Sequence, residues 1–186
     1  DNYKRATTNF FKIYELAKEL GIKFPEVVAA QMGEESSWGL KESGKNNYWG
    51  LKATQDEMKR GEGTMRTTAE QFTPGVDTML DQPFKDFDSI RSALLQYKKQ
   101  WNDDFMGRKG TVNAKTAKEA VKLLKKNGYA TGETYVENIM NILKDFEGEY
   151  GDQSSIGGGT MVAMHDYQKD PYLRKTIMEI INTPGY

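Results

Sequence analysis

Apolar residues recur at helical spacing in two blocks of the chain, and between them that spacing is lost. In the first block Thr8 is placed to cap a helix running to about Leu20. Phe11, Tyr14, Leu16 and Ala17 lie on one side of it, and Gly21 acts as the stop. A second helix starts near Pro25, whose fixed φ suits a first turn, and carries Val27, Val28, Ala30 and Met32 up to the Glu34–Glu35 pair. Residues 39–87 are rich in Gly, Asn, Thr and Asp. Within them Thr64–Thr68 and Phe84–Phe87 read as short strands of a small hairpin lobe. The helical period returns at Asp88, a good N-cap, with Ile90, Leu94, Leu95, Tyr97 and Trp101 forming a wide apolar stripe. Thr116 to Glu119 has the spacing of a capping box, and its helix carries Ala120, Val121 and Leu124 before Gly128. A further helix shows Tyr135, Ile139, Ile142, Leu143 and Phe146.

The pattern then breaks. Residues 151–159 read as a Gly/Ser linker. Residues 160–186 form a tail in which Asp170-Pro171 opens a helix with Leu173, Ile177, Ile180 and Ile181 at helical spacing. The tail is too short for a domain of its own, and either docks on the main body or leads to a second domain. The reading is therefore α+β, mostly α. Residues 1–150 make one domain, a helical main lobe with a small β-hairpin lobe at about 53–87.

Composition narrows the chemistry. The 186 residues suffice for one domain with a proper core. Twenty-six basic against 27 acidic residues offer no global attraction for nucleic acid. The Lys122, Lys125 and Lys126 cluster reads as a solvated helix face. With no cysteine there are no disulfides, thiol nucleophiles or thiolate metal sites. His165 is the single histidine and has no nucleophile elbow to serve, so a hydrolytic triad or a zinc site is poorly supplied. No metal or cofactor is expected. No apolar run approaches membrane-spanning length, and no signal-peptide core is present. The chain opens at Asp1, as a processed protein or excised domain does, so the missing signal does not place it in the cytoplasm.

The most specific chemistry lies at residues 34–50. An apolar helix ends in Glu34-Glu35, followed by Ser36-Ser37-Trp38-Gly39 and then Asn46-Asn47-Tyr48-Trp49-Gly50. A carboxyl held against apolar and aromatic surface keeps its proton near neutral pH and can donate it to a leaving group. Spacing alone also fits two solvated carboxylates at a helix end, and does not choose between Glu34 and Glu35.

The segment Ala30-Gln31-Met32-Gly33-Glu34-Glu35-Ser36-Ser37-Trp38-Gly39, followed by Asn46-Asn47-Tyr48-Trp49-Gly50-Leu51-Lys52, closely resembles the glucosaminidase family of peptidoglycan hydrolases. That family includes the flagellar rod-associated muralytic domain, bacterial autolysins and some phage lysins. Three later segments extend the resemblance in order across about residues 8–147. Thr67-Thr68-Ala69-Glu70 resembles the family's Thr-Thr-x-Glu element. Phe84-Lys85-Asp86-Phe87-Asp88-Ser89 resembles its Phe-Arg-x-Tyr-Asp-Ser, with Phe87 for tyrosine. Gly128-Tyr129-Ala130-Thr131-Gly132-Glu133-Thr134-Tyr135 resembles its Gly-Tyr-Ala-Thr-Asp-Pro-x-Tyr, with Gly132-Glu133 for Asp-Pro.

The resemblance implies a lysozyme-like fold with a cleft between the two lobes, and hydrolysis of β-1,4 bonds in peptidoglycan glycan strands, most specifically as an endo-β-N-acetylglucosaminidase. Glu35 falls on the family's catalytic glutamate. Glu70, in a polar lobe where it stays ionised, falls on its proposed second acid, with Asp77, Asp81, Asp86 and Asp88 as competitors. Tyr129 and Tyr135 fall on cleft tyrosines, and Tyr135 equally suits packing against Ile139. Trp38, Tyr48 and Trp49 are candidate sugar-stacking rings, at least one of them serving the core instead. Asn46 and Asn47 either read acetamido groups or fix the turn before Trp49. Peptidoglycan is the implied partner, with an extracellular, cell-wall or virion-associated location and a possible second lytic or assembly domain beyond the linker. The rivals are a muramidase or lytic transglycosylase on the same fold, and a non-catalytic wall-binding module of a phage tail or secretion apparatus. The Trp49-Gly50-Leu51-Lys52 segment argues against a transglycosylase.

Overall fold

A computed structural model describes residues 2–104, 109–146 and 171–186. The linker at 151–159 and His165 lie outside the described residues. The central element is helix α2, Pro25–Ser36, entered through Phe24 in the left-handed region at φ 58. Every residue from Glu26 to Gly33 is buried. A helix with no polar face must be surrounded. Here α1 (Asn2–Glu19), α5 (Ala117–Lys126) and α6 (Tyr135–Phe146) pack around it. Phe10, Phe11, Leu16, Val28, Met32, Trp49, Leu94, Tyr97, Leu124, Ile139 and Leu143 fill one continuous core.

Helix α4, Ile90–Tyr97, continues into a π-helical turn, Lys98–Asn102, which carries Trp101. That turn lets the Trp101 ring meet Tyr129 edge to face at 5.0 Å. The cap of α4 is Ser89 rather than the expected Asp88. Ser89 and Ser92 form a reciprocal capping box, in which the short Ser92 hydroxyl replaces the usual longer side chain. Helix α1 begins at Asn2, ahead of the expected cap Thr8.

The β-lobe follows the short helix α3, Gln55–Lys59. It is one antiparallel hairpin, β1 (Gly63–Thr73) and β2 (Val76–Lys85), joined at Pro74-Gly75. Gly75 sits at φ 75, as the second central position of a Pro-Gly turn requires. The strands exceed the two short runs expected from sequence. Most of their residues are solvent-exposed on both faces, so little alternation marks them. A bulge between Glu70 and Thr73 shifts the register near the tip.

The C-terminal helix, Pro171–Ile181, packs on α1 with Ile177 and Ile181 buried. The carbonyls of Gly185 and Tyr186 accept from the backbone N–H groups of Ile90 and Arg91, two first-turn donors of α4 that have no partner within the helix. The described tail thus docks on the main body, away from the cleft lining.

Glu26, near the start of α2, is 5% exposed, and burial raises its carboxyl from the usual range to about 7. The folded pKa lies above the unfolded one, so the penalty is absent below the unfolded value near 4.5. It grows as pH rises and is complete above about 7. Glu26→Gln removes it. The variant is expected to be more stable at pH 8 by as much as about 3 kcal/mol, with little change at pH 4. Thermal melts at the two pH values check this.

Candidate active site

A cleft of about 480 Å³ separates the hairpin from the helical lobe. The end of α2 supplies Glu34 and Glu35, and the loop after Trp49 supplies Gly50 and Lys52. Thr68, Glu70, Phe72, Leu80, Gln82 and Phe84 come from the hairpin. Residues 128–132, Thr134, Tyr135 and Asn138 come from the α5–α6 side.

The turn that exposes Glu35 is built from small and strained positions. Helix α2 stops at Ser37, at φ 50, and Trp38 follows at φ 62. The Trp38 ring folds back over Gly33, where an added Cβ would come within 2.6 Å of the indole. Gly33 is therefore the residue that lets the chain reverse directly after the glutamates. Ser36 closes the turn by donating to Met32 O at 2.5 Å and accepting from Gly39 N–H.

The two glutamates then separate. Glu34 accepts from the Asn138 side chain at 3.0 Å on the α6 rim. Glu35 points to Gly50, where an added Cβ would stand 4.0 Å from Oε2. Glu35 is exposed by surface area because the cleft above it is open. The walls still crowd its carboxyl, and desolvation, followed by the charges of Glu34 and Glu70, raises it to about 7. Crowding governs the proton more than surface area does, because a narrow cleft admits water without giving a carboxylate its full hydration. Lys52 acts in the opposite direction on Glu35. Its ammonium lies 4.0 Å over the Phe84 ring, and desolvation pulls its own pKa down against the fields of Glu70 and Glu35.

Glu70 is held on both oxygens. Gln82 donates to Oε1 at 2.9 Å, and the Thr131 hydroxyl donates to Oε2 at 2.5 Å. A crowded carboxyl with a pKa near 7 is protonated in about half of the molecules at neutral pH. With a second, hydrogen-bonded carboxylate in the same cleft, the pair can supply a proton on one side of a bound molecule and negative charge on another.

The remaining sequence candidates do other work. Trp49 is 1% exposed, and its indole N–H donates to Val28 O, so its ring has no face to offer a sugar. Asn47 is fully buried and bonds Leu51 O, Lys85 O and Leu51 N–H. Asn46, at φ 56, donates to Phe87 O. Both asparagines therefore fix the turn and weld it to the hairpin base. Tyr48 donates to Glu42, and Trp38 packs against Phe10; neither lines the cleft. Tyr135 is 5% exposed and takes the Gln31 amide N–H, while Tyr97 donates to Gln31 Oε1. This buried chain reaches the cleft lining at Tyr135. Tyr129 lines the cleft, but its hydroxyl donates to Trp49 O at 2.6 Å.

Sequence reasoning left several cleft residues without a role, among them Lys52, Gln82, Thr131, Phe72, Leu80 and Phe84. On the hairpin, the alternation of Thr68 and Glu70 on β1 with Leu80, Gln82 and Phe84 on β2 places these five residues on one face. That face is visible in sequence only once the register is known.

The model of the glucosaminidase family, described as mannosyl-glycoprotein endo-beta-N-acetylglucosaminidase, matches residues 12–148. This chain belongs to the glucosaminidase family. A comparison with curated proteins finds no match. Among solved structures, the chain is similar to a peptidoglycan hydrolase mutant from Sphingomonas sp. A1, with TM-score 0.56 and 20% identity, covering 95% of this chain and 98% of that one. It is also similar to the catalytic domain of the autolysin Auto from Listeria monocytogenes, with TM-score 0.53 and 21% identity, over 84% and 87% of the two chains. A C-terminally truncated glycoside hydrolase domain of FlgJ from Salmonella typhimurium gives TM-score 0.52 and 24% identity, over 78% and 97%. The shared architecture is the lysozyme-like fold of a helical lobe and a small two-stranded sheet. The matched span includes Glu35, Glu70 and Tyr129 and stops before the C-terminal helix.

Proposed function

We propose that this glucosaminidase hydrolyses peptidoglycan glycan strands at the β-1,4 bond following N-acetylglucosamine, with Glu35 as general acid. The observation that carries this reading is a carboxyl raised to about 7 in a cleft that also holds Glu70. Family membership supports glycan cleavage, and neighbours described as peptidoglycan hydrolases and an autolysin support the wall as substrate. The enzyme would act at the cell wall.

In this mechanism Glu35 protonates the leaving glycosidic oxygen as the bond to the anomeric carbon breaks. Glu70 faces the opposite charge, stabilising the developing positive carbon or orienting the attacking water. Lys52 keeps the Glu35 proton transferable by limiting how far the two neighbouring carboxylates raise its pKa. The exposed ring of Phe72, with Leu80 beside it on the cleft wall, gives sugar C–H faces an apolar surface. These hairpin residues take the stacking role that sequence assigned to Trp38, Tyr48 and Trp49. No step of this mechanism calls for a metal.

Purified peptidoglycan digested by the protein, reduced with borohydride and analysed by mass spectrometry tests the proposal. Reduced N-acetylglucosamine ends are expected. Reduced muramic ends identify a muramidase, anhydro-muramic ends a transglycosylase, and an absence of new ends a binding module.

A further inference from the structure

Among the described residues, hydrogen bonds tie the hairpin to the far wall of the cleft at one place, built around a single hydroxyl. The bulge between Glu70 and Thr73 leaves Gln71 without a ladder partner on β2. Its backbone N–H turns instead to Thr131 Oγ1, at 3.0 Å, in the loop between α5 and α6. A backbone N–H can only donate, so the threonine oxygen is the acceptor there. The one hydroxyl proton is then directed to Glu70 Oε2. A third bond runs from Glu133 N–H to Gln71 Oε1, at 3.1 Å. Glu133 stands where the resembled motif has proline, which has no N–H to give. Lys125 anchors the same loop to α5 by donating to Gly132 O.

From this we infer that Thr131 is a positioning residue, a latch that sets the Glu70 carboxylate against the helical lobe. The inference rests on the proposed role of Glu70. The hairpin carries Glu70 and the helical lobe carries Glu35, so the relative position of the two acids depends on how the lobes are tied. Gln82 holds Glu70 from within the hairpin and moves with it. Thr131 is the side chain that ties Glu70 to the other lobe. Small displacements of a reacting group are costly, and a shift of about 1 Å can lower the rate about a hundredfold.

Thr131→Val keeps the shape of the side chain and removes both bonds, while Thr131→Ser keeps the hydroxyl. Rates of reducing-end release on soluble glycan fragments are expected to show kcat lowered about ten- to a hundredfold in the valine variant, with KM little changed. The serine variant restores most of the rate. Hydrogen exchange adds a readout that needs no catalysis: the Gln71 amide exchanges faster in Thr131→Val and is protected in Thr131→Ser. A valine variant as active as the wild type overturns the latch, and one more active shows instead that the contact holds the cleft shut. An inactive wild type overturns the proposed function and not the contact, since the exchange measurement still reports it.

Discussion

Replacing Glu35 with glutamine is expected to lower the rate of glycan cleavage about 10²- to 10⁴-fold while leaving the protein folded. The magnitude is that of a lost general acid. Glutamine has the shape of glutamic acid and can still hydrogen-bond the glycosidic oxygen, but has no proton to transfer. The residue makes no hydrogen bond that the turn depends on, because Ser36 and Gly33 hold the end of α2. A carboxyl raised to about 7 is a destabilising group when ionised, so its removal does not lower the melting temperature at pH 8. Substituting Glu34 is expected to cost far less, since it sits on the rim bonded to Asn138. Reducing-end assays alongside thermal melts of both variants separate chemistry from folding. If Glu35→Gln retains wild-type activity, the acid is elsewhere.

The second large effect concerns stability. Asn47→Ala is expected to destabilise the protein by about 3–5 kcal/mol, because it leaves Leu51 O, Lys85 O and Leu51 N–H short of buried partners at once. These bonds join the strip after Trp49 to the base of β2, where Lys85 N–H also meets Leu51 O. The test is sharper with aspartate, which has the same shape. Two carbonyls face the Asn47 amide nitrogen, and a carboxylate oxygen there meets them with like partial charge. Asn47→Asp should therefore be at least as unstable as Asn47→Ala at neutral pH, in denaturant unfolding. If Asn47→Asp is as stable as wild type, Asn47 faces the cleft and a sugar instead.

Much of this architecture was legible in sequence because helices with one apolar stripe announce themselves. The stripes of α5 and α6 were visible, and Pro25 and Gly128 marked a start and a stop. The hairpin was harder. Its strands are exposed on both faces, so Met65, Met79 and Val76 carry no burial signal, and their length became clear only from pairing. Within the site, the motif led to Glu35 and to the loop holding Thr131. It could not separate residues that touch a ligand from those that hold the frame. Trp49, Asn46, Asn47 and Tyr135 are polar or aromatic, as sugar contacts are, yet each is turned inward by a bond to distant backbone or to Gln31. Such bonds span tens of residues along the chain and leave no local trace. Lys52 was passed over for a related reason: its role comes from the fields of two carboxylates contributed by different lobes.

The central claim is that cleavage depends on a proton held by Glu35, and the pH dependence of kcat/KM tests it most directly. Desolvation and the charges of Glu34 and Glu70 raise this carboxyl to about 7, and the protonated form is the active one. Reducing-end release from peptidoglycan fragments should therefore fall tenfold per pH unit above a limb with an apparent pKa near 7. The residual activity of Glu35→Gln should lack that limb. A wild-type rate that stays flat or keeps rising to pH 9 would contradict the account.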